Sequence, residues 1–252
     1  MDPAVLRDDM VDSLEHEAKR CVRSEAVSVA MREVPREAFV EEERGAYADR
    51  SFERHGTRVL SPSTAARLVE ALAPEPGDEV LVVGAGVGYT AAVCAELAGA
   101  RRVHAVDIDR RLVYEARSNL AAAGYGEVLV DCRDGAEGLP EYAPYDRVLV
   151  EAAAIEPPRR LLRQLAPDGR LVLPVGGGEQ TLTVVSPADA PGGYETLDRL
   201  GTTAFAPMLV EGEQATTVER NRMVREDREH AQRAAERRKG WEQEWIDWDR
   251  EL

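Results

Sequence analysis

The apolar run Val80-Leu81-Val82-Val83 leads into Gly84-Ala85-Gly86-Val87-Gly88-Tyr89, a strand entering three alternating glycines and then a helix. Glycines permit a tight turn and let a ligand approach the backbone, while the helix start presents free N–H groups. Spacing selects the ligand. A dinucleotide fingerprint wants a third Gly or Ala five residues after the first, and here that position is the bulky Tyr89. The third glycine comes at four, which suits a cofactor without phosphates, such as S-adenosylmethionine. Asp107 closes the second strand, 23 residues after Gly84, where a carboxylate can accept both ribose hydroxyls. Asp109 immediately precedes the next helix and reads as its cap. Asp134-Gly135 follows the third strand, with its carboxylate available to an adenine amino group. Three such elements at successive strand ends match where open α/β sheets bind ligands.

The elements that must position these residues alternate. Strands are expected at Glu79–Val83, Arg102–Ile108, Glu127–Asp131, Arg147–Glu151 and Arg170–Pro174. Helices are expected at Thr90–Ala98, Arg110–Ala122 and Arg159–Leu165, with a turn at Pro167-Asp168-Gly169. Strands this apolar, alternating with helices, imply a parallel sheet covered on both faces. Gln180–Val185 and Thr203–Leu209 read as antiparallel strands closing one edge. Upstream, residues 4–33 read as helix up to the break at Val34-Pro35-Arg36, and Glu37–Tyr47 as a short helix and loop. Residues 49–63 look irregular and polar, and Ser63 is a candidate N-cap for a helix over Thr64–Ala73. The expected organisation is an N-terminal helical and loop segment at 1–62, a cofactor domain at 63–210 and a charged tail at 211–252.

Over 252 residues the chain carries 47 acidic against 32 basic side chains, a net charge of −15. That field disfavours nucleic acid and anionic membranes. Only Lys19 and Lys239 are lysines; with few large aromatics, this composition suggests adaptation to high intracellular salt. No apolar run is long enough to span a membrane. The N-terminus lacks a secretory pattern, and Cys21, Cys94, Cys132 and the four histidines lack metal-ligand spacing. A cytoplasmic, metal-free protein is expected. Trp241, Trp245 and Trp248 share one helical face, expected to dock on its own domain or on a second subunit as self-association.

The segments Gly77-Asp78-Glu79-Val80-Leu81 and Gly84–Tyr89, Val34-Pro35-Arg36-Glu37-Ala38-Phe39-Val40, Ala46-Tyr47-Ala48-Asp49 and His55-Gly56 together resemble protein-L-isoaspartate O-methyltransferases. Ala143-Pro144-Tyr145-Asp146, Ala152-Ala153-Ala154, Pro174-Val175-Gly176 and Phe205-Ala206-Pro207-Met208 follow in family order. The resemblance covers roughly residues 8–210. It implies the class I S-adenosylmethionine-dependent methyltransferase fold, a doubly wound, mostly parallel, seven-stranded-type α/β sheet with N-terminal helices and a C-terminal helical extension. It also implies carboxyl methylation of isoaspartyl residues in damaged proteins or peptides, a repair reaction. In that family the loop after His-Gly carries an active-site serine. Counting from Gly56, that position is Leu60 here, and Ser61 follows it. Val82 stands where the family's first strand carries an acid, and Glu151 replaces a small or neutral residue.

A carboxylate is already anionic at neutral pH, so methyl transfer to it needs no general base. Ser61 is the expected catalytic hydroxyl, and Arg54, His55, Gly56, Arg58 and Leu60 form the expected substrate loop. Gly84, Ala85, Gly86, Gly88, Tyr89, Asp107, Asp134 and Gly135 are the expected cofactor residues. Two other readings stay open: the same fold acting on a small molecule, protein nitrogen or RNA, with Glu151 or Asp49 as base, and a non-catalytic cofactor-binding protein.

Overall fold

The computed structural model describes residues 2–40, 45–190 and 192–209. The tail from 210 onward, with its three tryptophans, lies outside the described residues.

Two short helices open the chain, α1 (Pro3–Glu15) and α2 (Glu25–Glu33). The single helix expected over 4–33 is therefore two. Arg20 sits at φ 46° between them, and Ser24 starts the second helix by accepting the N–H of Val27. Glu70 fixes the link, accepting the N–H groups of Arg23 and Ser24 at 2.8 Å each. A short 3-10 helix covers Arg36–Phe39 and ends at the extended Val40, where a short helix followed by loop is expected from Glu37.

Residues 49–63 are not irregular throughout. They contain an antiparallel hairpin of β1 (Phe52–Arg54) and β2 (Thr57–Val59). Its two-residue turn is His55-Gly56, both at positive φ, the geometry that tight hairpins demand. Helix α3 runs Pro62–Leu72. Its cap is Ser61 rather than Ser63, because Pro62 occupies the first helical position, where a missing N–H costs nothing.

The main sheet then builds around β3 (Val80–Val83), with α4 (Tyr89–Ala98), β4 (Val103–Asp107), α5 (Arg110–Ala122), β5 (Leu129–Cys132), β6 (Tyr145–Val150), α6 (Arg159–Leu162) and β7 (Leu165–Val175). The antiparallel β8 (Gln180–Pro187) and β9 (Tyr194–Thr203) complete the order β5-β4-β3-β6-β7-β8-β9. Strands β3 to β7 are mutually parallel. Side chains alternate between two cores. Val80 and Val82 face the one containing α1 to α4, while Leu81 and Val83 face the one containing Leu161 and Leu162 of α6.

Three boundaries differ from expectation. Pro167-Asp168-Gly169 is a bulge inside β7: Tyr145 pairs with Leu165 and Arg147 with Arg170, so the extra residues loop out without ending the strand. Helix α6 stops at Leu162, short of the expected Leu165. The last strand is Tyr194–Thr203, not Thr203–Leu209. It turns at Gly192 and Gly193, both at positive φ, and its mostly exposed side chains carry no apolar signal. Residues 206–208 instead lie beside the end of β6, where Ala153 donates to Ala206 O and Met208 donates to Ala153 O, each at 2.8 Å.

Candidate functional site

The strand order reverses between β3 and β6, so their carboxyl ends open the crevice where such sheets bind ligands. Gly84 and Gly86 take φ of +86° and +53° in the turn leaving β3, and Gly88 caps α4 at +95°. A side chain on Gly88 would also press against Leu120 of α5. Ala85 is buried behind the turn. Gly135 has a different reason to be glycine: a Cβ there would clash with Val83 Cγ1. The loop after β5 can therefore close on β3 only without a side chain.

Asp107 is 8% exposed and shapes the turn. Its Oδ2 accepts the N–H of Gly86 and its Oδ1 that of Asp109, both at 2.9 Å. Each oxygen keeps a second lone pair for a ligand hydroxyl. Burial pushes its carboxyl above the ordinary aspartate range, against the pull of those N–H donors. Asp109 caps α5 through the N–H of Arg111, as expected. Asp134 accepts the N–H of Ala136 at 2.9 Å, which orients its carboxylate at the end of β5.

Glu151, one residue past β6, stands against this turn. A Cβ on Gly84 would meet Glu151 Cβ at 3.5 Å, and the Glu151 N–H donates to Val83 O at 2.8 Å. Burial pushes its carboxyl up to about 8, and its buried Oε1 has no hydrogen-bond partner.

Tyr89 is fully buried beneath Arg36, whose guanidinium lies 4.5 Å from the ring centroid. Arg36 also donates to Ala46 O at 2.8 Å and to Leu60 O at 2.6 Å. One cation thus joins the glycine helix to the segment entering the substrate loop. The Leu60 side chain turns into the core. The Ser61 hydroxyl accepts the N–H of Thr64 at 3.3 Å and lies within 3.1 Å of the Ser63 and Thr64 hydroxyls.

The basic groups of the hairpin are engaged. Arg54 Nε donates to Glu115 Oε1 at 2.7 Å, and His55 Nε2 lies 2.9 Å from Glu115 Oε2. Arg58 is exposed. Asn119, one turn along α5 from Glu115, donates to Val87 O at 3.1 Å, so α5 ties hairpin and glycine turn together. A cleft of about 350 Å³, lined by Phe39, Phe52, Arg54, Glu115 and Asn119 among others, opens between the hairpin, the Arg36–Phe39 segment and α5. Sequence reasoning missed Glu115, Asn119 and the reach of Arg36. An acid on an amphipathic helix carries no signal of its role, although Val-Pro-Arg marked Arg36. Among the described residues no cluster of three or more His, Cys, Asp or Glu could hold a metal ion.

The residues fit a ligand made of a nucleoside and an amino acid. The glycine turn offers close backbone approach, Asp107 offers spare acceptors, and Glu151 offers a buried, unpartnered oxygen.

Comparisons with known proteins agree. Residues 7–214 match the family Protein-L-isoaspartate(D-aspartate) O-methyltransferase. A protein-L-isoaspartate O-methyltransferase of Roseiflexus sp. is 40% identical over 223 residues, covering 87% of this chain and 98% of the relative. One from Aeropyrum pernix is 43% identical over 196 residues, covering 75% of each. A solved protein-L-isoaspartate O-methyltransferase superposes with a TM-score of 0.71 at 26% identity, over 86% of this chain and 70% of that one. A Plasmodium falciparum chain assigned to the same activity, crystallised with S-adenosyl-L-homocysteine, has the same fold, with a TM-score of 0.70 at 21% identity over 81% of this chain and 98% of that one. The chain belongs to the protein-L-isoaspartate O-methyltransferase family, on the α/β methyltransferase fold.

Proposed function

We propose that this protein transfers a methyl group from S-adenosylmethionine to the free carboxylate of L-isoaspartyl residues in damaged proteins. The observation that carries it is the joining of glycine turn and substrate loop by Arg36, in a chain about 40% identical to named relatives over most of its length. When bound, the cofactor supplies an electrophilic methyl on a sulfonium. Gly84, Ala85, Gly86, Gly88 and Tyr89 would form its cradle, Asp107 would accept hydrogen bonds from its ribose hydroxyls, and Asp134 with Gly135 would border its adenine. The acceptor carboxylate is ionised at neutral pH, so this chain's task is to hold it in line and shed its water. Arg54, His55, Gly56, Arg58 and Leu60 frame the entrance. Arg54 and His55 are already paired with Glu115, which leaves Arg58 to attract an anionic peptide. Ser61 caps α3 through its hydroxyl oxygen and is the donor to the acceptor carboxylate, a role in which its proton turns away from the neighbouring Ser63 and Thr64 hydroxyls.

In this reading residues 1–62 supply the substrate side, 63–210 the cofactor side, and 211–252 a tail for self-association. Two lysines and a net charge of −15 support work in a cytoplasm of high salt. No helix among the described residues is long and apolar enough to cross a membrane. The test is transfer of labelled methyl to an isoaspartyl peptide and not to its aspartyl twin; equal labelling, or none, counts against the proposal.

A further inference from the structure

The proposed function gives Glu151 no specific contact, yet its unpartnered oxygen lies in the crevice where the strand order reverses. Strand β3 brings only Val80, Leu81, Val82 and Val83 to that point, all buried and apolar. The acid comes from the neighbouring strand instead. Val83 pairs with Val150, so Glu151 follows directly beside Gly84. The groups acting on it are Thr90 and Cys94 of α4 and Asp107 of β4. None is a cation. Burial opposes its charged form most, the Thr90 hydroxyl favours it, and the Asp107 charge opposes it. A buried carboxyl oxygen with no partner is costly and asks for an explanation. The missing partner must be a donor, and a positive one satisfies the carboxylate best.

We propose that Glu151 is the counter-charge for the α-ammonium of the cofactor's methionyl part, and that it gives up its proton to solvent as the cofactor binds. This rests on the cofactor reading above. The site is pre-set for it. With its carboxyl pushed up to about 8 by burial, Glu151 is mostly protonated at neutral pH in the cofactor-free protein. Ammonium against carboxylate in a dry crevice restores the ordinary acidity, so the proton leaves. No charge remains unpaired in either state: a neutral acid when empty, an ion pair when filled.

The experiment is calorimetric titration of the full-length protein with S-adenosylhomocysteine and with S-adenosylmethionine. It is run at pH 7 in buffers of different ionisation enthalpy. Both ligands carry the ammonium and only one carries the sulfonium. The expected result is net proton release, up to one per molecule of either ligand. In Glu151→Gln that release should disappear and binding should weaken about tenfold, with the native fold verified by circular dichroism. Glu151→Asp, which keeps the charge on a shorter arm, should retain release. Binding by the wild type with no proton release overturns the proposal and leaves the cofactor reading intact. No binding of either ligand overturns both. Release with S-adenosylmethionine alone would assign the charge to the sulfonium and refute the ammonium contact. A Gln variant with unchanged binding and release but no turnover would make Glu151 a base for a neutral acceptor, again refuting it.

Discussion

Asp107 Oδ2 accepts the backbone N–H of Gly86 at 2.9 Å, so the acid proposed to hold the ribose also holds the glycine turn proposed to cradle the rest of the cofactor. Its other oxygen bonds Asp109 at the start of α5. Asp107→Ala removes both acceptors, and its expected cost in S-adenosylhomocysteine affinity is about 1–3 kcal/mol by calorimetry. Asp107→Asn keeps one acceptor and should lose less. Full affinity in the alanine variant would remove Asp107 from the cofactor site.

Ser61 has two duties that one substitution separates. As the N-cap of α3 it should contribute about 1 kcal/mol to stability, read by denaturant unfolding of Ser61→Ala. As a donor to the acceptor carboxylate it should contribute about 1 kcal/mol or more to transition-state stabilisation, read in kcat/KM. Ser61→Asp preserves the cap and places a negative charge at the acceptor, so it should keep stability and lose activity. An alanine variant that loses stability but keeps full activity reduces Ser61 to a cap.

What the sequence revealed follows from locality and burial. Strands β3 to β7 could be read because strands buried on both faces appear as apolar runs, and the glycine turn because its chemistry lies in six consecutive residues. The hairpin of β1 and β2 escaped notice because Glu53, His55 and Arg58 face solvent and its turn is His-Gly rather than Asn-Gly. Strand β9 escaped because it is an exposed edge. The proposed cofactor residues fall at the ends of β3, β4 and β5, positions that counting along the sequence reaches. The pairings that join the site, Arg54 with Glu115 across 61 positions and Arg36 with Leu60 across 24, are tertiary and leave no local pattern.

Stability should depend on pH through Glu151. Its folded carboxyl titrates near 8, against about 4.3 in an unfolded chain. Between those values the folded state binds the extra proton, so this group's contribution is complete below about pH 4.3 and is lost as pH rises through 8. Thermal midpoints of the empty wild-type protein should fall relative to Glu151→Gln between pH 6 and 9. Parallel curves would mean that Glu151 is charged in the folded state throughout.

The net charge of −15 predicts a salt response. Self-repulsion is screened over about 30 Å at 0.01 M salt and about 3 Å at 1 M. The thermal midpoint should rise between 0.1 and 2 M KCl. A flat or falling midpoint would remove the case for adaptation to high salt.

The chemistry of the product tests the central claim most directly. A carboxyl methyl ester hydrolyses in mild alkali and releases volatile methanol, whereas a methylated nitrogen does not. After incubation with labelled S-adenosylmethionine and an isoaspartyl peptide, the account predicts label on the peptide that is released as methanol on raising the pH, with none on the aspartyl twin. Base-stable label, or equal label on both peptides, would contradict it.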